Sequence, residues 1–179
     1  MKGIIFTEFL EFVEDKYGLI MVNKIIGQSN LASNGIYTAV GTYDFSEMLQ
    51  LISHLSHNTD INVDDLLMAY AEHLFAVLIK SYPDLVYHYD DPMDLLVSVE
   101  NHIHVEVQKI YPDAQLPTFD LEERTDNKMV MVYKSHRALY TLGKGLILEI
   151  FKLFKVPASI EFEKLNEEGT EVRFFINKL

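Results

Sequence analysis

The apolar residues change period part-way along the chain, and that change limits the folds open to it. The first half has helical spacing. Ile5, Phe9, Phe12 and Val13 form one stripe, which Gly18 ends. A short apolar segment, 19–26, runs up to Gly27, and 28–35 is rich in turn formers. Asp44 with Glu47 three residues on resembles a capping box, opening a helix through Leu55. Asn62 with Asp65 opens a longer helix, striped by Leu67, Tyr70, Leu74 and Leu78 and closed by Pro83. Asp91-Pro92 is an N-cap followed by a first-turn proline. A helix from there should end near Ile110, because a residue before proline, here Tyr111, is pushed out of the helical region.

Beyond that point the period falls to two. Segments 118–125 and 128–135 flank Asp126-Asn127 and read as a hairpin. Segment 138–154 returns to helical spacing. Segments 159–165 and 170–176 flank Gly169 as a second hairpin, with Ile160, Phe162, Phe174 and Ile176 as its packing residues. The expected class is therefore α+β: an N-terminal helical part, about residues 1–60, beside a helix and antiparallel-sheet part, about 61–179. At 179 residues, almost half of them apolar, one domain of two such parts can bury a large core.

Charge and composition exclude several functions. The net charge of −12 repels phosphate backbones and anionic membranes, so neither nucleic acid nor membrane is expected as a partner. No apolar run approaches the ~18 residues needed to span a bilayer. Glu8, Glu11 and Glu14 interrupt anything resembling a leader, and a cytoplasmic location is expected. The chain has no cysteine, so disulfides, thiolate metal sites and a cysteine nucleophile are all excluded. A transition metal would need His, carboxylate or Tyr ligands.

Two clusters could carry chemistry. The first is His102-Ile103-His104. On a helix, Leu96, Val99, Ile103, Val107 and Ile110 make the buried stripe, His104 borders it, and the two histidines diverge. On a strand, His102, His104 and Glu106 would share a face and could hold a non-haem metal in an enzyme. A histidine beside an apolar stripe is also commonly an ordinary hydrogen-bonded residue, and spacing alone leaves these readings open. The second cluster is Tyr133, Ser135 and Arg137. If this stretch is a strand, its phenol, hydroxyl and guanidinium point to one face and form a row of donors suited to a carboxylate or phosphate. No phosphate loop is present, and no nucleophile, base and orienting group can be assembled from spacing.

Taken together, the pieces resemble the H-NOX family, the haem nitric oxide/oxygen-binding domains related to the sensor domain of soluble guanylate cyclase. The resemblance starts at Met1-Lys2-Gly3-Ile4-Ile5, passes through His104, Ile110-Tyr111-Pro112 and Pro117, and ends in the pattern Tyr133-x-Ser135-x-Arg137. It implies a non-catalytic sensor with haem b buried between the two parts. It also implies His104 as the protein ligand to ferrous iron, since that ligand precedes the Tyr of Ile-Tyr-Pro by seven residues and the following Pro by thirteen; both counts lead to His104. By the same resemblance Tyr133, Ser135 and Arg137 clamp the propionates, while Ile5 and Pro117 press on the porphyrin. Phe9, Leu74 and Leu142 stand on the gas side. Oxygen-holding relatives carry a tyrosine donor where this chain has Leu142. The expected ligands are therefore nitric oxide and carbon monoxide, with weak or no oxygen binding. The cysteine-containing zinc site of some relatives is absent. The chain ends soon after the second hairpin, so the expected output is a separate histidine kinase or cyclic-di-GMP enzyme.

Overall fold

The computed structural model describes residues 1–179 and divides into two compact units, Met1–Leu74 and Phe75–Leu179.

The first unit contains α1 (Gly3–Tyr17), α2 (Leu19–Gln28), α3 (Phe45–Thr59) and the start of α4 (Val63–Ser81). Phe6, Phe9, Phe12 and Val13 recur at helical spacing on α1 and are almost fully buried. Ile5 is only half-buried, and Phe6 takes its place at the start of the stripe. Phe6 stacks on Tyr37 with ring centroids 4.5 Å apart and meets Tyr43 edge-on. Gly3 must be glycine: a Cβ there would stand 1.8 Å from the Thr38 carbonyl oxygen. Gly18 ends α1 at φ 82°, a backbone region that favours glycine.

Asp44 caps α3, accepting from the Ser46 N–H at 2.7 Å. Glu47 does not complete the capping box. It is only 3% exposed and accepts instead from Ser33 Oγ and from Tyr37 OH, the latter at 2.7 Å. Two hydroxyl donors from the preceding loop satisfy it better than its own helix end does. α3 also runs on to Thr59, one turn beyond Leu55. Asn62 and Asp65 do cap α4 reciprocally: the Asp65 N–H donates to Asn62 Oδ1 at 2.8 Å, and Asn62 Nδ2 donates to Asp65 Oδ2.

The second unit begins with the end of α4 and a 3₁₀ turn, Pro83–Leu85. α5 (Pro92–Ser98) is capped by Asp91, which accepts from the Met93 N–H at 2.7 Å. α6 (His104–Ile110) continues it after one π turn, Val99–Ile103. Residues 92–110 are thus helical throughout, which rules out the strand reading. The π turn, however, shifts the helix face, so the expected stripe is not buried as a whole. Leu96 is buried, Val99, Ile103 and Val107 are half-buried, and Ile110 is exposed.

β1 (Thr118–Arg124), β2 (Lys128–Lys134), β3 (Ala158–Lys164) and β4 (Glu171–Lys178) form one antiparallel sheet in the order β1-β2-β4-β3. β1 is bulged between Leu121 and Glu123. Met129, Met131, Tyr133, Val172, Phe174 and Ile176 are buried with Ile147, Ile150 and Phe151 of α7 (Tyr140–Leu153). Ile160, Phe174 and Ile176 hold the second hairpin as expected. Phe162 does not join that core; it is 41% exposed and packs its ring 5.2 Å from Tyr140. No helix is long and apolar enough to cross a membrane.

Candidate functional site

His104 opens α6, directly after the π turn. Its Nδ1 lies 3.1 Å from Glu100 Oε1. A carboxylate can only accept, so the proton sits on Nδ1 and Nε2 is left as the ring's unprotonated nitrogen. Burial lowers the His104 pKa below the ordinary imidazole value, and Glu100 offsets this only in part. The ring is therefore neutral near pH 7 and offers a lone pair to a metal. The same Oε1 accepts from the Phe119 N–H at 2.9 Å. The Phe119 ring stands 6.2 Å from His104 and 5.6 Å from Tyr133, its partner in strand register.

His102 leads elsewhere. Its Nδ1 meets Tyr89 OH at 2.9 Å. Glu106 accepts from Lys109 Nζ at 2.6 Å. His102, His104 and Glu106 are thus on a helix with separate partners, and the non-haem metal triad is corrected: it needed a strand that does not form.

Tyr133, Ser135 and Arg137 do come together, but not as a row along a strand. β2 ends at Lys134, and Ser135 begins a turn whose Ala138 has φ 51°. Folding the chain back, rather than strand alternation, gathers the three side chains. Burial raises the Tyr133 pKa, and the Ser135 side chain, the Leu139 N–H and Arg137 each offset it. Arg137 donates from Nη1 to the Gln115 carbonyl at 2.7 Å and from Nη2 to Gln115 Oε1 at 3.0 Å. Its Nε is buried with no partner. A buried guanidinium N–H without an acceptor is costly, and a carboxylate would relieve it. A neutral imidazole and, on the same unit, an under-satisfied guanidinium beside two hydroxyls are the donor types an iron-bearing, carboxylate-bearing cofactor needs, so the residues present fit such a group.

The remaining expected residues are apolar. Phe9 and Leu74 are buried in the first unit, with exposures of 0% and 2%, and Leu142 on α7 is 8% exposed in the second. Pro117, just before β1, is half-buried, as is Ile5. The tyrosines beside these positions are committed elsewhere. Tyr70 OH donates to the Ile5 carbonyl at 2.7 Å. Tyr140 faces Phe162 and lies under the Lys164 ammonium, 5.1 Å from its ring centroid.

Three participants escape the motif pattern. Glu100 lies four residues before His104, a helical spacing that could have found it. Gln115 sits in a loop, and Tyr89 precedes its helix; neither has any local signal.

The sheet-bearing unit of this α+β chain thus carries an imidazole donor and a half-buried guanidinium with an unpaired N–H, a donor set suited to holding a cofactor. Comparison with known proteins makes the assignment specific. Residues 2–162 match the model of the haem-NO-binding family, and the chain belongs to that H-NOX family of haem-based gas-sensor domains. The Fe(II) unliganded H-NOX protein from K. algicida is 60% identical, with a TM-score of 0.97 over 100% of this chain and 97% of that one. The H-NOX from Shewanella woodyi, described as IWP-051-bound in the Fe(II)CO state, is 34% identical, with a TM-score of 0.85 over 100% of this chain and 95% of that one. An H-NOX protein from S. oneidensis in the Fe(II)NO state shares the fold at 23% identity, with a TM-score of 0.90 over 100% and 99% of the two chains. The comparison with curated proteins found no match.

Proposed function

We propose that this chain is a nitric oxide sensor that holds haem b through His104. The observation that carries the reading is the His104–Glu100 pair: Nδ1 is taken, and Nε2 is the nitrogen left to donate to iron. When bound, the haem supplies a ferrous iron with an open position for a diatomic gas. The protein's own residues do the rest. Tyr133, Ser135 and the unsatisfied Arg137 Nε receive the propionates, whose charge would be costly to bury unpaired. Ile5 and Pro117 are the family-matched positions against the porphyrin, and both are half-buried.

Ligand preference follows from Phe9, Leu74 and Leu142. None of them can donate a hydrogen bond; the Tyr70 hydroxyl is bonded to the Ile5 carbonyl, and the Tyr140 ring packs on Phe162. Bound oxygen gathers negative charge and gains from a donor, whereas nitric oxide and carbon monoxide depend on one far less. Oxygen binding is accordingly weak or absent. The resemblance further implies a cytoplasmic domain spanning 1–179 and a separate histidine kinase or cyclic-di-GMP enzyme as the partner; separately, the net charge of −12 opposes binding to nucleic acid. Pyridine haemochrome analysis should give one haem b per chain, and gas titration of the ferrous protein should give tight binding of nitric oxide and none of oxygen at air saturation. A protein that takes up no haem would overturn the reading.

A further inference from the structure

We infer that Glu100 sets the strength of the iron–His104 bond by acting as an anionic acceptor for the His104 Nδ1 proton, an inference that rests on the haem reading above.

Glu100 lies in the π turn, four residues before His104, and its Oε1 accepts two hydrogen bonds: from His104 Nδ1 at 3.1 Å and from the Phe119 main-chain N–H at 2.9 Å. The second bond matters as much as the first. Phe119 is in β1, held in register against Tyr133 of β2. A main-chain donor in a paired strand cannot rotate away, so Oε1 is held against His104 by a fixed second donor. A glutamate side chain on a helix surface would otherwise be free to turn into solvent.

The acceptor is a carboxylate, not a carbonyl or a water. A full negative charge at Nδ1–H draws that proton outward and raises the basicity of Nε2. Burial of the pair reduces screening by water: the side chain of His104 is 15% exposed and that of Glu100 31%. Two consequences follow for the ligated metal. The iron–nitrogen bond stiffens, because the imidazole donates more strongly. The ferric state is favoured over the ferrous, because added negative charge stabilises the higher oxidation state. Glu100 is therefore a positioning and tuning residue that acts through His104 and need not touch the haem.

Glu100→Gln isolates the charge. Its amide oxygen can still accept from both His104 and Phe119, so a purely structural role would survive the change. Resonance Raman spectra of the ferrous, gas-free holoprotein should show the iron–imidazole stretch moving to lower frequency in Glu100→Gln, with a higher haem midpoint potential. A second measurement leaves Glu100 in place. His104→Gly protein supplied with imidazole should give a higher-frequency stretch than with 1-methylimidazole, which has no proton to donate. If wild-type protein shows an iron–imidazole band that neither Glu100→Gln nor the loss of the imidazole proton moves, the inference is overturned and the haem reading stands. If wild-type protein shows no such band, ligation through His104 fails and the inference fails with it.

Discussion

Arg137 grips Gln115 with both terminal nitrogens and leaves its Nε buried without an acceptor. Gln115 fixes the plane of the guanidinium, so the free N–H keeps one direction. Hydrogen bonds to charged groups contribute about 1.5–3 kcal/mol. Arg137→Ala should therefore speed haem loss roughly ten- to hundredfold, read as the rate of transfer to apomyoglobin. Gln115→Ala should show a smaller increase. An unchanged rate in Arg137→Ala would remove the guanidinium from the cofactor's site.

Leu142 supplies no hydrogen-bond donor, so Leu142→Tyr tests the account of oxygen exclusion. One added donor contributes about 1–1.5 kcal/mol, or roughly a tenfold gain in oxygen affinity. Nitric oxide affinity should change far less. Oxygen titration of the ferrous variant reads this directly, and equal shifts for the two gases would contradict it.

Much of this organisation is legible in the sequence. The two hairpins and the helices lie where the change of period indicates, because binary patterning and turn residues are local signals. The π turn was not legible. Nothing in Val99–Ile103 distinguishes it from α-helix, and its extra residue turns the expected stripe, so that Val99 and Val107 are only half-buried and Ile110 is exposed. The donor cluster was legible by residue type but not by geometry: Tyr133, Ser135 and Arg137 converge through a turn at Ala138, whose positive φ no alanine would advertise. Gln115 and Tyr89 were invisible, since each is chosen by a partner far away in sequence. Glu47 was misread because its hydroxyl partners, Ser33 and Tyr37, precede the helix that it was expected to cap.

That buried glutamate gives a stability test. Glu47→Ala leaves the Ser33 and Tyr37 hydroxyls without their acceptor. At about 1.5–3 kcal/mol for bonds to a charged group, and roughly 2–4 °C per kcal/mol for a chain of this size, Tm should fall by about 3–12 °C. A fall of under 1 °C would show that water replaces the carboxylate without cost.

Glu8 predicts a pH dependence of the opposite sign to that of most carboxylates. Burial raises its pKa, Glu11 raises it further, and His73 opposes both. A raised folded-state pKa means that the folded form binds its proton more readily than the unfolded form. Stability from this group is full below the unfolded value of about 4.3 and is lost as pH rises through the folded value. Glu8→Gln should therefore raise Tm at pH 7, with the gain vanishing near pH 4. A lower Tm at pH 7 would mean that the His73 pairing, at 3.5 Å, outweighs burial.

The central claim is that His104, and not His102, carries a gas-sensing haem. It is tested most directly by absorption spectra of the ferrous protein and of its His104→Ala and His102→Ala variants, in air and with nitric oxide. The account predicts a Soret band that moves with nitric oxide but not with air, unaltered in His102→Ala and lost or displaced in His104→Ala. A ferrous Soret band untouched by His104→Ala but abolished by His102→Ala would contradict it.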